Sequence, residues 1–183
     1  MKKWHDQGFT SLKISINLSP QEFLKQQLVD KVKQVLLETG LTPQCLELEI
    51  TESMTMDVIR STSVLEELHD IGIQIAIDDF GTGYSSLNYL KNFHIHRLKI
   101  DRSFVRDMMN GPKDAKIVGT IVSIAHALNL KVIAEGVETE EQLEFLRNLQ
   151  CDEIQGFYYS KPLPASEIEK KYEFNSSRGV IQL

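Results

Sequence analysis

Cysteine is scarce. Cys45 and Cys151 are the only two, and neither stands in a metal-ligand spacing. That argues against a disulfide scaffold and a thiolate zinc site, and two lone thiols suit a reducing cytosol, so a cytoplasmic location is expected. Positive charge is also short: 20 Lys and Arg against 26 Asp and Glu give a net charge of −6. A nucleic-acid polymer is therefore not an expected partner, although an acidic chain can hold a phosphate ester when metal ions stand between. No long apolar run is present. The most apolar helix candidate, Ile117 to Leu128, carries Thr120, Ser123 and His126 and is too short to span a bilayer, so no membrane segment is expected. Signal peptide, short-period repeat and low-complexity tract are all lacking. What is there is 183 residues, 42% hydrophobic and 25% charged, which reads as one soluble globular domain over 1–183 with a polar tail at 170–183.

The most informative stretch is Ile73 to Ser86. Ile73, Ile75 and Ile77 alternate as in a strand, Asp78 and Asp79 follow, and Gly81 and Gly83 mark a turn. Adjacent acids at a strand end repel unless a cation or a shared proton offsets them; an ordinary exposed turn is the alternative. Around this stretch the chain alternates strands and helices. Strands are expected at Leu12–Leu18, Leu46–Thr51, from Ile73, at Arg97–Asp101, Lys131–Val137 and Glu153–Tyr159. Helices are expected from Pro20 to Gly40, from about Asp57 to Gly72, near Ser86 to Phe93, from Pro112 to about Asn129, after Thr139, and after Ser166. Met1 to Phe9 resembles the last turns of a helix closing on Gly8.

Six strands alternating with helices imply an α/β fold of parallel βαβ units. A (β/α)8 TIM barrel needs about 250 residues, and this chain is roughly 65 short, about two βαβ units. The expected fold is a (β/α)8 TIM-barrel-like architecture lacking its first two strands; an open six-stranded sheet competes with it.

Alternation then assigns faces. The aliphatic face carries Ile14, Ile16, Leu48, Ile50, Ile75, Ile77, Leu98 and Ile100; the other carries Lys13, Ser15 and Asn17, Glu47 and Glu49, Asp78, Lys99 and Asp101, Glu135, and Glu153 and Gln155. Asn17, Glu49, Asp78, Lys99, Glu135 and Gln155 are expected to meet at one mouth. So many polar groups are costly to gather without a function. An oxygen-only ligand set favours Mg2+ or Mn2+ over zinc, Asp79 beside Asp78 offers a bridge to a second ion, and Lys99 can hold a water or developing negative charge. For single residues a structural reading stays open: Lys99 with Glu135 as an internal ion pair, Asn17 as a cap. His94 and His96 fall at the opposite end as surface or loop residues, His126 is expected to be packed, Glu52 and Glu138 to tie down loops, and Tyr158 and Tyr159 to pack.

These stretches together resemble the EAL domain of bacterial cyclic-di-GMP phosphodiesterases. The matching motifs are Ser15-Ile-Asn17-Leu-Ser, Glu49-Ile-Thr-Glu52-Ser, Asp78-Asp-Phe-Gly-Thr-Gly-Tyr-Ser-Ser-Leu87, Lys99-Ile-Asp-Arg-Ser-Phe104, Ala134-Glu-Gly-Val-Glu138 and Gln155-Gly-Phe. The resemblance implies a modified (β/α)8 barrel that uses Mg2+ or Mn2+ to hydrolyse cyclic-di-GMP to pGpG. It implies Asn17, Glu49, Asp78 and Asp79 as metal ligands, Lys99 and Glu135 as the residues holding and activating water, and Gln155 in the pocket. It also implies Glu52 as anchor of the Asp79–Ser86 loop, through which a homodimer is expected. The family's Glu-Ala-Leu tripeptide, with a metal-binding glutamate, is nowhere in this sequence. The expectation is an N-terminally truncated EAL domain, weakly active or inactive by itself; a binding or interaction module without turnover is the alternative.

Overall fold

The computed structural model of the chain describes residues 1–55, 58–83 and 87–171. The expected starts near Asp57 and Ser86, the loop residues Tyr84 to Ser86, and residues 172–183 of the polar tail lie outside this range. Six parallel strands form one sheet in the order β1-β2-β3-β4-β5-β6: β1 Ile14–Asn17, β2 Leu46–Thr51, β3 Gln74–Phe80, β4 Arg97–Ile100, β5 Lys131–Glu135 and β6 Glu153–Gln155. The helices are α1 Lys2–Asp6, α2 Pro20–Phe23, α3 Leu28–Thr39, α4 Val58–Ile71, α5 Leu87–Asn92, α6 Arg102–Asp107, α7 Pro112–Ala127, α8 Glu140–Asn148 and α9 Ala165–Lys171. Strand order follows chain order without reversal, so right-handed crossovers put every connecting helix on the same face. That rules out the open doubly wound sheet, whose order reverses.

The helix-facing side is the aliphatic one. Ile50, Ile75, Ile77, Leu98 and Ile100 are fully buried together with Leu65 and Leu68 of α4 and Val118 and Ala125 of α7. Burying each Ile or Leu stabilises by about 1.5–3 kcal/mol, and truncating Ile77 to Ala would cost about 2–5 kcal/mol.

The sheet curls around its polar face. Arg97 on β4 bonds Glu47 on β2 and, at 3.2 Å, Glu153 on β6. In a flat sheet β2 and β6 would stand four spacings, about 19 Å, apart, too far for one guanidinium. The stagger agrees with a barrel. Arg97 is in register with Ala76, and Ala76 with Glu49, yet Arg97 bonds Glu47, two residues earlier. Inward layers thus climb about one residue per strand, the slope that closes an eight-stranded barrel. The chain forms six consecutive strands of a half-barrel of that type.

Several expected element limits change, β4 among them, which ends at Ile100 because Asp101 caps α6. The helix expected from Pro20 to Gly40 breaks after Phe23, because Phe23 and Leu28 lie about 140° apart on one helix, and only a break buries both, at 1% and 7% exposure. β1 and β5 are shorter than expected, ending at Asn17 and Glu135. β6 stops at Gln155 instead of Tyr159. The Tyr158 N–H donates to Val137 O at 2.9 Å, folding the chain back, and a Cβ on Gly156 would meet that same oxygen at 2.1 Å. Phe157 therefore leaves the strand face and is exposed.

Candidate active site

Lys99 stands at the centre of the mouth. Its side chain is 2% exposed, and its ammonium lies 2.6 Å from Glu135 Oε1, 2.7 Å from Glu49 Oε2 and 3.2 Å from Asp78 Oδ1. These partners come from β5, β2 and β3, so one side chain on β4 gathers three other strands. The internal ion pair considered for Lys99 and Glu135 is thus one contact of a larger cluster. Burial alone would push the lysine pKa down; hydrogen bonds to Glu135 and Glu49, and their charges, outweigh it and hold the group well above its ordinary range. Glu135 moves up instead, because burial favours its neutral form and the charges of Asp78 and Glu49 add to that, only partly offset by Lys99.

A regular strand sends Asp78 and Asp79 to opposite faces. Here the β3–β4 register shifts between Ile77 and Phe80, and Asp79 takes a left-handed φ of 53°. Such a bulge sets two residues of one strand against one of its neighbour. As a result, carboxylate oxygens of Asp78, Asp79 and Glu135 lie within 4.8 Å of one another. Burial, then the charges of Asp78 and Asp101, raises the Asp79 pKa. Asp101 caps α6 by accepting the Ser103 N–H at 3.0 Å, and its bonds to Ser103 outweigh burial and hold it low. Three carboxylates, those of Glu49, Asp78 and Glu135, therefore contact one ammonium, with Asp79 near it and Asp101 against Asp79. This excess of negative charge with oxygen donors fits a divalent cation.

The register orders the remaining residues. Asn17 pairs with Glu49, and Glu135 with Gln155. Both Asn17 and Gln155 are exposed at their strand ends, at the rims of the arc, while the four charged residues hold its middle. Ser15, Glu49, Arg97, Glu153, Gln155 and Tyr159 help line a cavity of about 370 Å3 on the concave face. Glu52 is buried; its Oε2 accepts the Gly81 N–H at 3.2 Å, and its Oε1 has no partner among the described residues. Glu138 is exposed, and its N–H donates to Gln142 Oε1 at 2.8 Å, so Gln142 supplies the side-chain bond in that turn.

Sequence reasoning passed over Asp101, and over Arg97, Glu47 and Glu153, which form an ionic layer beneath Lys99. The signal was available: all share the polar strand parity, and Asp101 falls two residues after Lys99. His94 and His96 lie at the opposite end of the sheet, where His69 stacks on both at 4.6 and 5.6 Å between centroids. His126 is not packed as expected; it is exposed and bonds Asp152 at 2.9 Å. Tyr158 and Tyr159 meet edge to face at 5.3 Å and remain partly exposed.

The family model described as EAL domain matches residues 1–162. The signaling protein YkoW of Bacillus subtilis is 49% identical over 168 residues, 91% of this chain and 21% of that protein. The bifunctional diguanylate cyclase/cyclic di-GMP phosphodiesterase MucR of Pseudomonas aeruginosa is 47% identical over 169 residues, 92% of this chain and 25% of that protein. This chain thus spans about a fifth to a quarter of the length of these curated relatives. The solved structure of the PaMucR phosphodiesterase in its c-di-GMP complex superposes with a TM-score of 0.90 at 47% identity, over 92% of this chain and 68% of that one. With the half-barrel and the ordered motifs in agreement, the chain belongs to the EAL domain family.

Proposed function

We propose that residues 1–183 form one EAL-type domain whose mouth binds cyclic-di-GMP and hydrolyses it to pGpG with Mg2+ or Mn2+. In this reading Asn17, Glu49 and Asp78 hold one ion and Asp79 holds a second. Such ions, when bound, would neutralise phosphodiester charge and lower the pKa of a water so that it gives up a proton before attack. The chain's own residues do the rest. Lys99 orients the water or the developing anion, and Glu135, its pKa raised by burial, takes the proton. Gln155 faces the substrate, and Glu52 tethers the loop from Asp79. Glu138 is assigned to the turn after β5. A homodimer through the Asp79–Ser86 region and a cytoplasmic setting complete the reading; among the described residues no helix is long and apolar enough to cross a membrane.

The observation that carries the proposal is the set of carboxylates around Lys99, with Asp78 and Asp79 turned to one side by the bulge. A second reading, binding without turnover, is favoured by one fact: residues 1–183 contain no Glu-Ala-Leu tripeptide. Loss of one acid from a two-ion centre is expected to weaken turnover when this stretch is assayed by itself. Calorimetry with Mn2+ and cyclic-di-GMP, followed by chromatography for pGpG, separates the readings. Turnover supports the first and tight binding without product the second; silence in both assays refutes the proposal.

A further inference from the structure

One layer beneath Lys99, toward the N-terminal ends of the strands, lies a second buried ionic group that the proposed chemistry does not use. The Arg97 guanidinium donates through one nitrogen to Glu47 on β2 and through the other, at 3.2 Å, to Glu153 on β6. Glu47 also accepts from the Ser15 hydroxyl on β1 at 2.8 Å. The Arg97 and Glu47 side chains are 7% and 4% exposed, and that of Glu153 is 41% exposed. Neither β2 nor β6 is hydrogen-bonded to β4, so this contact ties together strands that the backbone ladder does not join directly.

Each end of the bridge sits two residues before a residue of the mouth. Glu47 precedes Glu49, Arg97 precedes Lys99, and Glu153 precedes Gln155. Two residues of strand rise about 6.6 Å, so an opening of the lower layer is carried almost directly to the upper one. The planar two-pronged guanidinium suits the task, because its two terminal nitrogens hold two carboxylates at a fixed separation, which the single rotating ammonium of a lysine does not set. The Arg97 Nε is buried and has no acceptor among the described residues. The side chain is thus held by its two terminal nitrogens spanning the carboxylates and not by complete local bonding.

We propose that Arg97 is a positioning residue: by bridging Glu47 and Glu153 it sets the curl of the sheet, and that curl brings Glu49 and Gln155 to the same mouth as Lys99. Only the use of the mouth rests on the metal-dependent reading above; the bridge itself does not.

The test uses residues 1–183 and two variants. Arg97→Lys keeps the charge but loses the span, and Glu153→Gln weakens the more exposed prong alone, so a folded variant remains even if the first unfolds. The metal-independent readout is a distance by pulsed electron resonance between labels at Ser53→Cys and Lys161→Cys in a Cys45→Ser background. Cys151→Ser removes the other native thiol and keeps a donor toward the Val132 and Glu153 carbonyls. The second readout is Mn2+ affinity by calorimetry, with urea unfolding run in parallel to remove any effect of stability. The expected result is a separation wider by about 5 Å, one strand spacing, with Mn2+ bound about tenfold more weakly. An unchanged distance in both variants overturns the bridge. A wider distance with unchanged Mn2+ affinity overturns the positioning role. Failure of the unmodified chain to bind Mn2+ instead refutes the metal-dependent reading, and the distances alone then decide whether Arg97 sets the curl.

Discussion

Replacing Lys99 with methionine keeps the buried stem of the side chain and removes the cation that lies within 3.2 Å of Glu49, Asp78 and Glu135. Attraction to three partners is offset by the cost of burying the charges, so the loss is far smaller than three Coulomb energies. Removing one partner of a buried pair typically costs about 3–5 kcal/mol, because the remaining charge is left uncompensated. For a chain of this length each kcal/mol lowers Tm by about 2–4 °C, so a drop of about 6–20 °C is expected without metal. The lysine's own pKa is raised, so its stabilisation is fully present below its unfolded value of 10.5 and lost only as pH rises through the higher folded value. Between pH 6 and 9 the difference between the two proteins should therefore come from the carboxylates. Glu135, whose raised pKa Lys99 partly holds down, takes up a proton more readily without that ammonium, so the variant should regain stability as pH falls toward 5. Mn2+ should also restore the variant more than it stabilises the unmodified chain, since saturation at 100 times Kd contributes about 2.7 kcal/mol and the carboxylates are no longer engaged by Lys99. Urea and thermal unfolding, each with chelator or with Mn2+, measure all of this. A loss below about 1 kcal/mol, with the same Mn2+ response in both proteins, would refute the view that Lys99 is the counter-ion of this cluster.

At the other end of the sheet, His96 Nδ1 accepts the Ile75 N–H at 3.2 Å, and burial, then the charges of His69 and Arg97, lowers its pKa below 6.5. A base depressed on folding contributes stability that is present above 6.5 and lost as pH falls toward the folded value. His96→Asn keeps an acceptor that does not titrate and should flatten the urea midpoint between pH 7.5 and 5; an unchanged slope would show that other groups carry it. Gly156→Ala places a methyl group 2.1 Å from Val137 O and should cost at least about 1–3 kcal/mol in urea unfolding, with Gln155 displaced. Asp79→Asn removes one of the like charges that Asp78 and Asp101 oppose. It should leave the metal-free urea midpoint unchanged or higher while weakening Mn2+ binding at least about tenfold; equal Mn2+ affinity would remove Asp79 from the ligand set.

Much of the site was legible from alternation alone. Glu49, Asp78, Lys99 and Glu135 share the polar parity of four strands, and because parallel strands all run one way, shared parity near their ends means a shared mouth. The aliphatic parity of Ile75, Ile77, Leu98 and Ile100 likewise foretold the helix-covered face. Asp79 was named for standing beside Asp78, but its strand parity points away from Asp78, and only the bulge with its left-handed residue turns both acids to one side. The break after Phe23 and the end of β6 at Gln155 were equally hidden, since each depends on what the chain meets in space: a core that wants both Phe23 and Leu28, and the backbone of Val137 against Gly156. The reach of Arg97 from β2 to β6 depends on the stagger between strands. Side-chain alternation is a local property repeated every two residues and is written in the sequence; curl and stagger arise from how distant segments register against one another, so only the folded sheet decides them.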